Sequence, residues 1–123
     1  MPKRIYVAGP YTNPDPVDNT RRAIRAGHFL LLQGFTPFVP HLSLFWHFQY
    51  PLPIEKWYAY DLEWLAVCDG LVRLPGESEG ATQEVFRAED LDLPVFYGDT
   101  DDDAIKSCVN YAHKEGWIGN EAS

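Results

Sequence analysis

The sequence predicts an α/β fold: a single domain over residues 1–123, built as a doubly wound parallel sheet with helices on both faces. Three observations predict it. Short apolar runs alternate with longer amphipathic stretches, Gly and Pro punctuate the junctions between them, and 123 residues at 46% hydrophobic content suit one core rather than two.

The first run, Ile5 to Ala8, reads as a short buried strand ended by Gly9-Pro10 and the turn-rich segment Tyr11 to Pro16. A helix follows, with Asp15 as its cap, Pro16 at its first position and Gly34 as its stop. Ala23, Ala26 and Leu30 share its inner face with Ile24, Gly27 and Leu31. Phe35 to Val39 is the second strand. Residues 40–53 are expected as a loop, yet they hold Leu42, Leu44, Phe45, Trp46, Phe48 and Tyr50. So apolar a loop predicts a lid or a contact between subunits. Ile54 to Val67 is helical, Leu71 to Leu74 a strand, Gly80 to Leu91 a helix, Pro94 to Tyr97 a strand, and Asp102 to Lys114 a last helix. This alternation is that of flavodoxin-like and Rossmann-like sheets, in which ligands bind beyond the carboxyl ends of the strands, where the strand order reverses. The crevice is therefore expected between the Gly9 loop and the loop from Pro75 to Gly80.

A formal net charge of −8 argues against holding a nucleic acid polymer by its phosphates, which requires a basic surface. A small-molecule substrate suits such a chain better. Cys68 and Cys108 lack a CxxC spacing and fall within predicted helices, so they read as core residues of a reduced protein. The apolar run after Met1 is too short for a leader or a membrane span, so no membrane partner and a cytoplasmic location are expected.

Two carboxylates sit where a plain amphipathic helix would not put them. At 100° per residue, Trp57, Trp64, Leu65 and Cys68 form one apolar arc and Asp61 falls in its middle. An unpaired buried carboxylate is costly, so Asp61 either finds hydrogen-bond partners as a structural acid or looks into a cavity. Glu84 repeats the anomaly among Ala81, Val85, Ala88 and Leu91, about one turn past a helix start that favours an anion. Two inward acids beside one crevice suggest glycoside chemistry, in which one attacks the anomeric carbon and the other assists the leaving group. Tyr6 is placed to hold Glu84 by its hydroxyl, or else is a core aromatic. Ser78, Gly80 and Ala81 open the helix after a loop whose amides can approach a ligand oxygen, with Ser78 alternatively a simple cap. The Walker lysine and the GxGxxG spacing are both missing, which speaks against triphosphates and dinucleotides. His41 lies at the carboxyl edge of the second strand, within reach of a base, while His41 and His47 lack the spacing of a zinc site. Asp69 precedes its strand and reads as structural.

Three segments in order, Ile5-Tyr6-Val7-Ala8-Gly9-Pro10-Tyr11, Asp61-Leu62-Glu63-Trp64-Leu65 and Ser78-Glu79-Gly80-Ala81-Thr82-Gln83-Glu84, resemble the nucleoside 2-deoxyribosyltransferase superfamily, including its 2'-deoxynucleoside 5'-phosphate N-hydrolases. The resemblance implies that Glu84 is the nucleophile taking the deoxyribosyl group, that Tyr6 orients it, and that Asp61 contacts and helps protonate the departing base. It implies substrate contacts from Gly9, Pro10, Tyr11, His41, Ser78, Gly80 and Ala81, no metal or organic cofactor, and a homo-oligomer. Transfer from a 2'-deoxynucleoside to an acceptor base is the first expectation. Ser78 stands where the hydrolases hold a phosphate, but the Arg they carry after the first strand is replaced by Gly9-Pro10-Tyr11-Thr12. Hydrolysis of a nucleoside 5'-monophosphate is therefore the alternative, and a nucleotide-binding module without turnover the second.

Overall fold

A computed structural model describes residues 2–119. Strand β1 (Arg4–Ala8) leads to helix α1 (Pro16–Leu32) and strand β2 (Thr36–Phe38). A 3-10 turn (Pro40–Leu42), α2 (Ser43–Gln49) and α3 (Ile54–Leu65) come before β3 (Gly70–Arg73). The chain then runs through α4 (Glu79–Asp90), β4 (Val95–Phe96) and α5 (Asp101–Lys114). The four strands are all parallel in the order β2-β1-β3-β4. This is the doubly wound, flavodoxin-like arrangement, with the reversal of strand order between β1 and β3.

The alternation of side chains along β1 divides the core into two layers. Ile5 and Val7 pack with Ala23, Ala26 and Leu30 of α1 and with Ala104 and Cys108 of α5. Tyr6 and Ala8 pack on the opposite face with Leu65 at the end of α3 and with Ala81, Val85 and Ala88 of α4. Gly27 lets α1 approach the sheet closely, since a Cβ there would lie 2.6 Å from a methyl of Val39. Asp15 caps α1 by accepting from the amide of Asp18, with Pro16 in the first turn. Asp69 accepts from the Arg4 amide at 2.8 Å, at the end of the sheet away from the crevice, and is structural as expected. Cys68 and Cys108 are buried free thiols, although Cys68 lies just beyond α3 rather than inside it.

Two further expectations about the elements require correction. Residues 40–53 are not a plain loop, because Ser43–Gln49 is helical. Ile24 and Leu31 are exposed, not on the inner face of α1, where Ala23, Ala26, Gly27 and Leu30 are buried. Among the described residues no helix is long and apolar enough to cross a membrane.

Candidate functional site

A cavity of about 340 Å³ opens at the reversal point, beyond the carboxyl ends of β1 and β3. That volume lies in the range of small-molecule sites. Gly9 and Tyr11 line it from the β1 loop, Ser78, Gly80, Ala81 and Glu84 from the start of α4, Asp61 from α3 and His41 from the 3-10 turn.

Glu84 is the buried centre of this site, with 7% of its surface exposed, and it accepts a hydrogen bond from the Tyr6 hydroxyl. Tyr6 itself is fully buried beneath the cavity and acts from behind Glu84. Burial pushes the Glu84 carboxyl up to about 7, against the Tyr6 hydrogen bond and the nearby Arg73 charge, which hold it down. Burial also pushes Asp61 up, to about 8, and the Glu84 charge adds to the rise. One oxygen of Asp61 is buried without a hydrogen-bond partner among the described residues. Both acids thus hold protons above the ordinary carboxylate range, and an ionised Glu84 favours keeping the proton on Asp61.

Ser78 is the N-cap of α4, its hydroxyl accepting from the Ala81 amide at 3.0 Å, and it faces the cavity as well. His41 is buried, and its Nε2 donates to the Pro10 carbonyl at 2.9 Å. A carbonyl only accepts, so this bond leaves Nδ1 as the ring's acceptor, and Nδ1 has no partner among the described residues. Burial lowers the His41 pKa and keeps the ring neutral. Pro10 does not line the cavity. It supplies that carbonyl and packs under Gly76, where a Cβ would lie 2.7 Å from its ring.

Trp57, Tyr58 and His47 line the cavity although sequence reasoning assigned none of them to the site. Trp57 and Tyr58 precede Asp61 by four and three positions, and that spacing puts them beside it on one helix face. His47 of α2 accepts from the Trp57 indole at 2.8 Å and the Leu52 amide at 3.2 Å, both at Nδ1, which ties α2 to the start of α3. A second cavity adjoins the first through Tyr11, Tyr58, Ser78 and Gly80, and its remaining wall includes Glu55, Glu77 and Glu79. Among the described residues neither cavity has a Lys or Arg in its wall. Among the described residues no group of three His, Cys, Asp or Glu is placed to hold a metal ion.

Residues 3–98 match the model of a family described as Domain of unknown function (DUF7768). The chain belongs to the DUF7768 family. The matched region runs from β1 through β4, so it includes Tyr6, Asp61, Glu84 and both loops of the cavity, while α5 lies outside it. No curated protein matches this DUF7768 chain.

Proposed function

We propose that the protein cleaves the N-glycosidic bond of 2'-deoxynucleosides through a covalent deoxyribosyl-Glu84 intermediate and transfers the sugar to an acceptor base. The observation that carries this reading is the pair of inward acids in one cavity, with Glu84 hydrogen-bonded to buried Tyr6 and the Glu84 charge favouring the proton on Asp61. The ionised Glu84 oxygen attacks the anomeric carbon, and the departing base takes the bonding electron pair together with the proton of Asp61. An ester between Glu84 and the sugar results. A second base then attacks the same carbon, Glu84 leaves as carboxylate, and Asp61 recovers a proton from the incoming base. Tyr6 orients the nucleophile through its hydroxyl, and the bare Nδ1 of His41 is an acceptor for a donor group of the substrate.

The free nucleoside is favoured over its 5'-monophosphate by charge. A phosphate in these cavities would meet Glu55, Glu77 and Glu79 and, among the described residues, no cation in the wall. Ser78 offers it only a hydroxyl already engaged as a cap.

Incubation with a panel of deoxynucleosides and their 5'-monophosphates, with and without a free acceptor base, tests the proposal. Base exchange on free nucleosides is expected, and it disappears in Glu84→Ala while circular dichroism is retained. Normal turnover by folded Glu84→Ala sinks the mechanism. Binding of nucleosides with no base released would make the protein a binding module.

A further inference from the structure

Three consecutive backbone carbonyls in the turn after β3 are each held by an arginine. Arg73 donates to Leu74 O at 2.5 Å and to Gly76 O at 3.0 Å, and Arg22 of α1 donates to Pro75 O at 2.8 Å. The turn leads directly to Ser78 and the first turn of α4, so its shape sets where Glu84 stands over the cavity. Its seat against the β1 loop is equally constrained, because Gly76 has φ +125° and touches Pro10.

The two arginines differ in what surrounds their charge. Arg22 is paired with both oxygens of Asp101, at 2.7 and 2.9 Å. Arg73 makes no ion pair among the described residues. Two positions from Leu71 on its strand and opposite Ala8 of β1, it belongs to the sheet face that carries Tyr6 and is covered by α4. We propose that Arg73 is a positioning residue of the site, fixing the turn that carries α4 and serving as the counter-charge of Glu84. This rests on the reading of Glu84 as nucleophile, since only the carboxylate form can attack a carbon.

Glu84 accepts from Tyr6 of β1 and shares its cavity with Tyr58 and Asp61 of α3, His41 of the 3-10 turn and His47 of α2, while Arg73 stands on the sheet face that α4 covers. Arg73 is the one cation among them. Burial favours the neutral, unreactive acid, and Arg73 opposes it together with the Tyr6 hydrogen bond. Arg73 itself is faced by Tyr97 and Arg22, and burial lowers its pKa without making it neutral at physiological pH.

The test compares Arg73→Gln, Arg73→Lys and Arg22→Met in the full chain. The readouts are the Glu84 titration midpoint, by carbon NMR of glutamate-labelled protein assigned through Glu84→Gln, and the pH dependence of kcat. Arg73→Gln keeps donors for the carbonyls but loses the charge, so the midpoint moves up by about half a pH unit or more, about a threefold change in proton affinity. The acidic limb of the kcat profile moves with it. Arg73→Lys keeps the charge and returns the midpoint to within a few tenths of a unit. Arg22→Met loosens the turn and lowers kcat but leaves the midpoint in place. An unchanged midpoint in folded Arg73→Gln overturns the proposal, as does an equal shift in Arg22→Met. If Arg73→Gln does not fold, Arg73→Lys decides: a midpoint that rises despite the retained charge overturns it. NMR reads the carboxyl without turnover, so a wild-type chain that releases no base while its midpoint moves in Arg73→Gln would overturn the nucleophile reading and leave the charge pairing standing.

Discussion

At the scale of single residues, the site is defined by two acids that are expensive to ionise. Burial raises both carboxyls above their usual range, Glu84 to about 7 and Asp61 to about 8. The folded protein therefore holds protons that the unfolded chain has already released at mildly acidic pH, and stability falls as pH rises. The contribution is fully present below the ordinary carboxylate range and is lost as pH rises through it to about 7 to 8. Glu84→Gln keeps the shape and an oxygen that accepts from Tyr6 but cannot ionise. Its melting temperature should exceed that of the wild type at about pH 8.5 and match it only below the ordinary glutamate range, at about pH 3.5. Each kcal/mol recovered is worth about 4 °C in a chain of this size. Equal melting temperatures at both pH values would mean that Glu84 ionises freely. Asp61→Asn is expected to cut turnover by about a hundredfold or more for bases that leave poorly, and less for good leaving groups. A uniform loss across leaving groups would make Asp61 a structural acid.

At the scale of the elements, legibility followed from where the physics was local. Asp15 and Ser78 were readable as caps because a cap is satisfied within three residues of itself, and both bonds are present. The inward acids were readable because a carboxylate on an apolar helix face is an anomaly visible from spacing alone. Helix α2 was not, since its seven residues carry apolar side chains all round and show no period. Such a short helix is held by tertiary contacts, here Trp46 against Trp57 and Tyr60, and His47 under the Trp57 indole. The arginine clamp was equally hidden, because no local rule says that a strand residue will turn back on the carbonyls that follow it. Ser78 gives the test at this scale. Ser78→Ala should cost about 1 kcal/mol through the lost cap. Ser78→Asp keeps a capping oxygen, adds a charge that the helix N-terminus favours, and should leave nucleoside turnover intact. A wild-type preference of about tenfold or more for the 5'-phosphate, about 1.4 kcal/mol of transition-state stabilisation, would show that the acidic wall does not exclude phosphate.

At the scale of the whole molecule, the alternation of strands and helices was enough to place the crevice, because a parallel sheet that reverses its order leaves an opening between the loops on either side of the reversal. What alternation could not supply is the shape of the surface around that opening. Phe45, Phe48, Tyr50 and Ile54 are each at least 65% exposed and stand within ten residues of one another. Trp46 and Trp64 add half-exposed rings on the same side, joined through Tyr60. Exposed rings grouped this way are of the kind that marks a contact with another chain, a membrane or a ligand. We propose a second copy as the cover, the homo-oligomer implied by the sequence's resemblance to nucleoside 2-deoxyribosyltransferases. Phe45→Ser combined with Phe48→Ser removes two of the most exposed rings without touching Leu44, the buried anchor of α2. Sedimentation should therefore show an oligomer for the wild type and a lower mass for the double variant, with circular dichroism unchanged. A wild-type chain that sediments as a monomer at every accessible concentration would leave the aromatic segment as a lid over the cavity, and the double variant should then alter KM rather than mass.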